Sequence, residues 1–154
     1  MLINSSGDDV LARFSPDGAW IAYASDESGD QEVYVRSFTG DGHIGADRKI
    51  VSSSGGSQPI WRRDGKELFY LSPKGEIMAV LVSRAGAGLE FGPPAALFKT
   101  LTPTVGRLLG TYDVAPDGQR FLIGELLGAP PRQSGLRPTA ARRVCHLAAL
   151  RPPE

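Results

Sequence analysis

Three aspartates, each followed by a glycine, recur along this chain: Asp17-Gly18, Asp64-Gly65 and Asp117-Gly118. Carboxylates at repeated positions are the residue type for general acid–base work or for holding a divalent cation. Asp26, Glu27 and Asp30 form a second acidic group, three carboxylates on one short stretch that could ligate a calcium ion. Their spacing does not match a calcium-binding loop, and a solvated hairpin accounts for them as well. Nucleophilic hydrolysis needs a Ser or Cys near a His and an orienting acid. Ser57 follows Gly55-Gly56, and the histidines are His43 and His146, but no G-x-S-x-G elbow is present and Ser57 reads as part of a turn. The lone Cys145 has no cysteine partner for a disulfide and no ligand cluster around it. No Gly-rich phosphate loop and no kinase signature set occurs. The expectation is therefore no catalytic residue, no cofactor and no metal site.

The Asp-Gly pairs gain meaning from their surroundings. Phe14-Ser15-Pro16-Asp17-Gly18-Ala19-Trp20-Ile21-Ala22-Tyr23 returns as Trp61-Arg62-Arg63-Asp64-Gly65-Lys66-Glu67-Leu68-Phe69-Tyr70. It returns again as Val114-Ala115-Pro116-Asp117-Gly118-Gln119-Arg120-Phe121-Leu122-Ile123. The aspartates are 47 and then 53 residues apart. Pro, Asp and Gly in that order suit a type I turn: Pro presets φ, Asp bonds back to the backbone, Gly accepts positive φ. A position that repeats is more often architectural than catalytic, so Asp17, Gly18, Asp64, Gly65, Asp117 and Gly118 are read as turn formers.

Each turn leads into an apolar run too short for a helix. Residues 19–24 read as a strand buried on both faces, 31–38 as a returning strand, and 48–52 as a short edge strand. The second repeat copies this with strands at 66–71 and 76–82 and an outer segment at 89–98, which Gly92-Pro93-Pro94 interrupts. The third has strands at 112–114 and 121–127. Phe14, Trp20, Tyr23, Tyr34, Trp61, Phe69, Tyr70 and Phe121 lie on these strands and are read as packing residues between sheets. After Gly128 the pattern stops. Residues 128–138 are linker-like, and 139–150 are expected to form at most one short helix capped by Thr139. Residues 1–127 are thus the folded body and 128–154 a Pro/Arg-rich tail that is poorly ordered or briefly helical.

A four-stranded unit recurring at this spacing fits the blades of a β-propeller. The run from Phe14 to Tyr23 resembles the F-S-P-D-G-x-x-[IL]-A-[YF] signature of the WD40-like repeats of TolB-type proteins. Gly55-Gly56-Ser57-Gln58-Pro59 with Trp61 and Asp64 to Tyr70 is similar to the propeller at the C-terminal end of bacterial serine/threonine protein kinases and related sensor proteins. The expected fold is all-β: two to three four-stranded antiparallel blades, too few to close a ring. The resemblance implies a non-enzymatic module for protein–protein interaction or ligand sensing, a fragment of a larger bacterial propeller. The alternative is the substrate-gating propeller of a prolyl-oligopeptidase-type peptidase without its hydrolase domain. A third expectation, a non-functional remnant, follows from the blade count.

Charge narrows the partners. Residues 1–127 hold twelve Lys/Arg and sixteen Asp/Glu, and residues 128–154 hold five Arg and one Glu. An acidic body disfavours nucleic acid, and Arg62-Arg63 beside Trp61 is too small a basic group to offset it. No apolar run is long enough for a membrane-spanning helix. The expected partners are a protein or the missing blades, with self-association through exposed blade faces. The first ten residues carry no secretory signal pattern. The resemblance points to a periplasmic or extracytoplasmic setting and leaves the cytoplasm open.

Overall fold

The computed structural model describes residues 7–100, 112–126 and 143–150. These form three antiparallel sheets that follow one another along the chain, with no helix among the described residues. The first sheet is β1 (Val10–Phe14), β2 (Trp20–Ser25), β3 (Glu32–Phe38) and β4 (Ile44–Ile50), in that spatial order. The second begins with β5 (Ser57–Trp61), β6 (Glu67–Leu71) and β7 (Glu76–Ala85). Its fourth position is shared by β8 (Gly88–Phe91) and β9 (Ala95–Lys99), both paired with β7. Residues 76–79 of β7 face β9 and residues 82–85 face β8. Gly92-Pro93-Pro94 falls between the two pieces, where prolines without an N–H cannot continue a ladder. The third sheet is β10 (Tyr112–Val114), β11 (Arg120–Leu126) and β12 (Arg143–Leu150).

Strand β12 corrects the helix expected over 139–150. Its backbone pairs with β11 from Arg120↔Leu150 to Leu126↔Arg143. A helix of about a dozen residues is marginal on its own, whereas the edge of β11 offers a row of backbone donors and acceptors. Thr139, the expected cap, lies outside the described residues. Strand β4 also starts earlier than the sequence suggests, at Ile44.

The same face of each sheet packs back on the sheet before it. Trp61, Leu68 and Tyr70 of the second sheet meet Ala22, Val33 and Val35 of the first. Phe121 and Ile123 of the third meet Phe69, Leu71, Ile77 and Ala79 of the second. The equivalent positions in the first sheet are Phe14, Ile21 and Tyr23. Tyr23 stacks on Tyr34 at 5.7 Å, and both are buried. Phe14 meets Phe38 edge-on at 4.9 Å but remains 56% exposed. Alternation along β2 and β6 follows from the two-residue period of a strand, and both faces are apolar because each strand is covered twice.

Hydrogen bonds tie the inner strands together. The Trp61 indole N–H donates to the carbonyl of Arg13 at 3.2 Å, and the Tyr112 hydroxyl donates to that of Gln58 at 2.8 Å. Burial holds the Tyr112 phenol well above its ordinary pKa, so it stays a donor. Leu11 and Gln58 adopt positive φ, 57° and 55°, at equivalent places in β1 and β5. The pairing register slips at both points, the mark of a β-bulge. At the opposite end, Glu32 fastens the link between the first two sheets. Its carboxylate accepts the Ser52 hydroxyl and, at 2.9 Å, the Gly55 N–H.

Candidate functional site

The three Asp-Gly corners share one geometry. Gly18, Gly65 and Gly118 have φ of 70°, 72° and 71°, the left-handed region that glycine enters without a Cβ clash. Each donates its N–H to the carbonyl three residues back, on Ser15, Arg62 and Ala115, at 2.9 Å. Each aspartate accepts the N–H two residues on: Asp17 from Ala19, Asp64 from Lys66, Asp117 from Gln119. The Ser15 hydroxyl and then the Ala19 N–H hold Asp17 below its ordinary pKa, with Arg84 adding to the effect. The Gln119 N–H does the same for Asp117. Engaged this way, Asp17 and Asp117 are poor proton acceptors at neutral pH and are poorly suited to act as a general base.

The corners gather at one end of the molecule and are linked from sheet to sheet. Arg84, at the far end of β7, pairs with Asp17 of the first corner. Arg62 pairs with Glu67 at 2.8 Å and with Asp64 at 3.3 Å. Glu67 is only 2% exposed, so its charge is held in the protein interior by that guanidinium. The Glu67 hydrogen bond raises the Arg62 pKa further. The Arg62 side chain also lies against the third corner: a Cβ placed on Gly118 would sit 2.9 Å from Arg62 Cδ.

Between the first corner and the second sheet lies a cleft of about 430 Å³. Trp20, Trp61, Val82 and Leu89 supply its apolar wall, and Asp17, Asp64, Lys66 and Arg84 its charged rim. The two indoles make no ring contact with each other. The indole N–H of Trp20 is buried and has no hydrogen-bond acceptor. A cavity of this size, with apolar walls and a few polar groups, has the dimensions of a small-ligand site. Its residues were legible in part: Trp20 and Trp61 stood out as aromatic strand positions. Lys66 and Arg84 did not, because they stand 18 residues apart in sequence and are brought to one end only when β6 and β7 pair. The Arg62–Glu67 pair had a signal in the sequence, an acid placed inside an otherwise apolar strand.

The other chemistry-bearing residues are scattered. Among the described residues, no group of three His, Cys, Asp or Glu could hold a metal ion. Asp26 accepts the N–H of Asp8 at 2.8 Å, and Glu27 pairs with Arg48, whose guanidinium lies 4.9 Å above the Tyr34 ring. His43 contacts Asp41 at 3.1 Å on an exposed turn. Ser57 and Asp30 line a cleft of about 410 Å³ at the end opposite the Asp-Gly corners, and no histidine is among its lining residues. The side chains of Cys145 and His146 lie outside the described residues.

Consecutive antiparallel sheets of three to five strands, each stacked on the last through the same face, define a partial β-propeller that is not closed. Among solved structures, the chain is similar to TolB from Acinetobacter baumannii, at 16% identity and a TM-score of 0.44. The match covers 97% of this chain and 43% of that one, so this chain spans less than half its length. No family model matches the sequence, and no curated protein does.

Proposed function

We propose that the chain is a non-catalytic propeller segment that recognises a peptide or small ligand at its Asp-Gly end. The supporting observation is the cleft there, walled by two tryptophans and rimmed by charges from two sheets. Recognition residues carried by loops and strand ends on a rigid stack are a common arrangement for binding. The sequence motif adds the expectation that such a segment serves a larger sensor. The reading extends to assembly: Phe14, Ile50 and Leu122 are exposed at 56%, 56% and 44%. These side chains favour contact with further blades or with a second copy of the chain. Light scattering at micromolar concentration should show oligomers, and a monodisperse monomer would remove this extension.

Selection of a random peptide library on the purified chain tests the binding reading. Bound peptides should protect residues 15–18, 62–66 and 83–84 from hydrogen exchange. Enrichment of no sequence, or protection confined to 26–31 and 53–57, would overturn it.

A further inference from the structure

We infer that the cleft between the first two sheets takes an apolar carboxylate, a bulky apolar or aromatic body joined to a single anionic group. This rests on the binding function proposed above and names the chemistry of that same site. The first line of support is a comparison within the molecule. Ser15 and Trp20 of the first sheet stand 47 residues before Arg62 and Glu67 of the second. At the second interface those positions carry an ion pair whose arginine fills the space under the next corner, against Gly118. At the first interface the same place holds a serine hydroxyl and an indole. Ser15 is turned inward: its hydroxyl donates to Asp17 and accepts the Trp20 backbone N–H at 3.0 Å. The space that Arg62 occupies in one interface is left open in the other.

The second line of support is the balance of donors and acceptors. Both rim carboxylates are already engaged. Asp17 accepts from Ser15, Ala19 and Arg84, and Asp64 from the Lys66 N–H and Arg62. The rim donors are not used up. Arg84 is largely exposed and spends one of its five N–H groups on Asp17. The Lys66 ammonium has no ion pair or hydrogen bond among the described residues, so it is a second spare donor on the same rim. A ligand entering here meets spare donors above an aromatic wall, so it must bring acceptors and apolar surface together. The C-terminal residue of a peptide and a free aromatic acid share that chemistry.

Both tryptophans of the chain line this cleft, so intrinsic fluorescence reads the site directly. The chain would be titrated with 3-phenylpropionate, with N-acetyl-Ala-Ala-Phe, and with the amide of that peptide. Both carboxylates should change the emission saturably, and the amide should bind at least tenfold more weakly. Lys66→Met should weaken carboxylate binding about tenfold with the urea midpoint unchanged, while Lys74→Met at the opposite end should leave it intact. Binding of the peptide acid alone assigns the site to peptide C-termini, and binding of phenylpropionate alone assigns it to free acids. The inference falls if neither carboxylate gives a saturable change, if the amide matches the acid, or if Lys66→Met binds as the parent does. If selected peptides still protect the Asp-Gly end in any of those cases, the binding function stands and only the ligand chemistry is wrong.

Discussion

The interface between the first and second sheets and that between the second and third are built on the same backbone positions with different fillings. Ala22 in the first sheet corresponds to Phe69 in the second, 47 residues on, and both point forward to the next sheet. The first interface therefore sets small residues, Ala22, Val33 and Val35, against Trp61, Leu68 and Tyr70. The second sets aromatic rings against each other: Phe121 meets Phe69 at 5.2 Å and Phe98 at 5.1 Å, both edge-to-face. At the corners the contrast reverses in polarity. The first interface keeps an indole-floored cleft, and the second is closed by a buried ion pair. A repeat can thus hold its geometry while one copy is spent on packing and another leaves room for a ligand.

The largest expected effect sharpens the packing half of this contrast. Phe121→Ala should destabilise the chain by about 3–5 kcal/mol, the usual loss for a buried phenylalanine. Val35→Ala in the first interface should cost about 1–2 kcal/mol, two methylene-sized groups. Equal shifts of the urea midpoint would break the distinction.

Next comes the ion pair. Arg62→Met should cost about 1–3 kcal/mol, because it strips a charged donor from buried Glu67. Adding Glu67→Leu should recover part of that loss, a coupling that a double-mutant cycle measures. Additive effects would mean that the pair does not act as the plug of the second interface.

The corner glycines should rank by their neighbours. Gly118→Ala meets both a left-handed backbone and Arg62, Gly65→Ala finds only Pro16 at 3.9 Å, and Gly18→Ala finds nothing within 4 Å. The backbone penalty is about 1–2 kcal/mol at each. Gly118→Ala should exceed the other two in thermal unfolding, and a reversed order would contradict the placement of Arg62.

The smallest effect is the response to acid. Asp17 has a folded pKa below its ordinary 3.8, so its contribution to stability is complete above that value and fades as pH falls through the lower folded one. Asp17→Asn should flatten the fall of the urea midpoint below about pH 4. An unchanged slope would show that the first corner owes nothing to its charge.

Much of this architecture was legible because it is local. Pro-Asp-Gly and Arg-Asp-Gly announce their turns, the apolar runs at 19–24 and 66–71 announce buried strands, and Gly92-Pro93-Pro94 announces a broken outer strand. What stayed hidden depends on partners distant in sequence. Arg84 meets Asp17 across 67 residues, and β12 becomes a strand through the edge of β11 rather than through its own pattern. Leu11 and Gln58 carry no glycine signal for their positive φ, which comes from the bulges they occupy.

Because each sheet is closed by strands that are neighbours in sequence, the chain should come apart in an order. Within such linear stacks, stability is shared between a unit and its immediate neighbours. The second sheet has a described neighbour on both faces, and the first and third have one each. Native-state hydrogen exchange should therefore show the amides of β6 and the first half of β7 opening last, with loss of protection spreading inward from either side. An insertion in β6 should then disturb the whole chain, while one in the β3–β4 turn should stay within a single sheet.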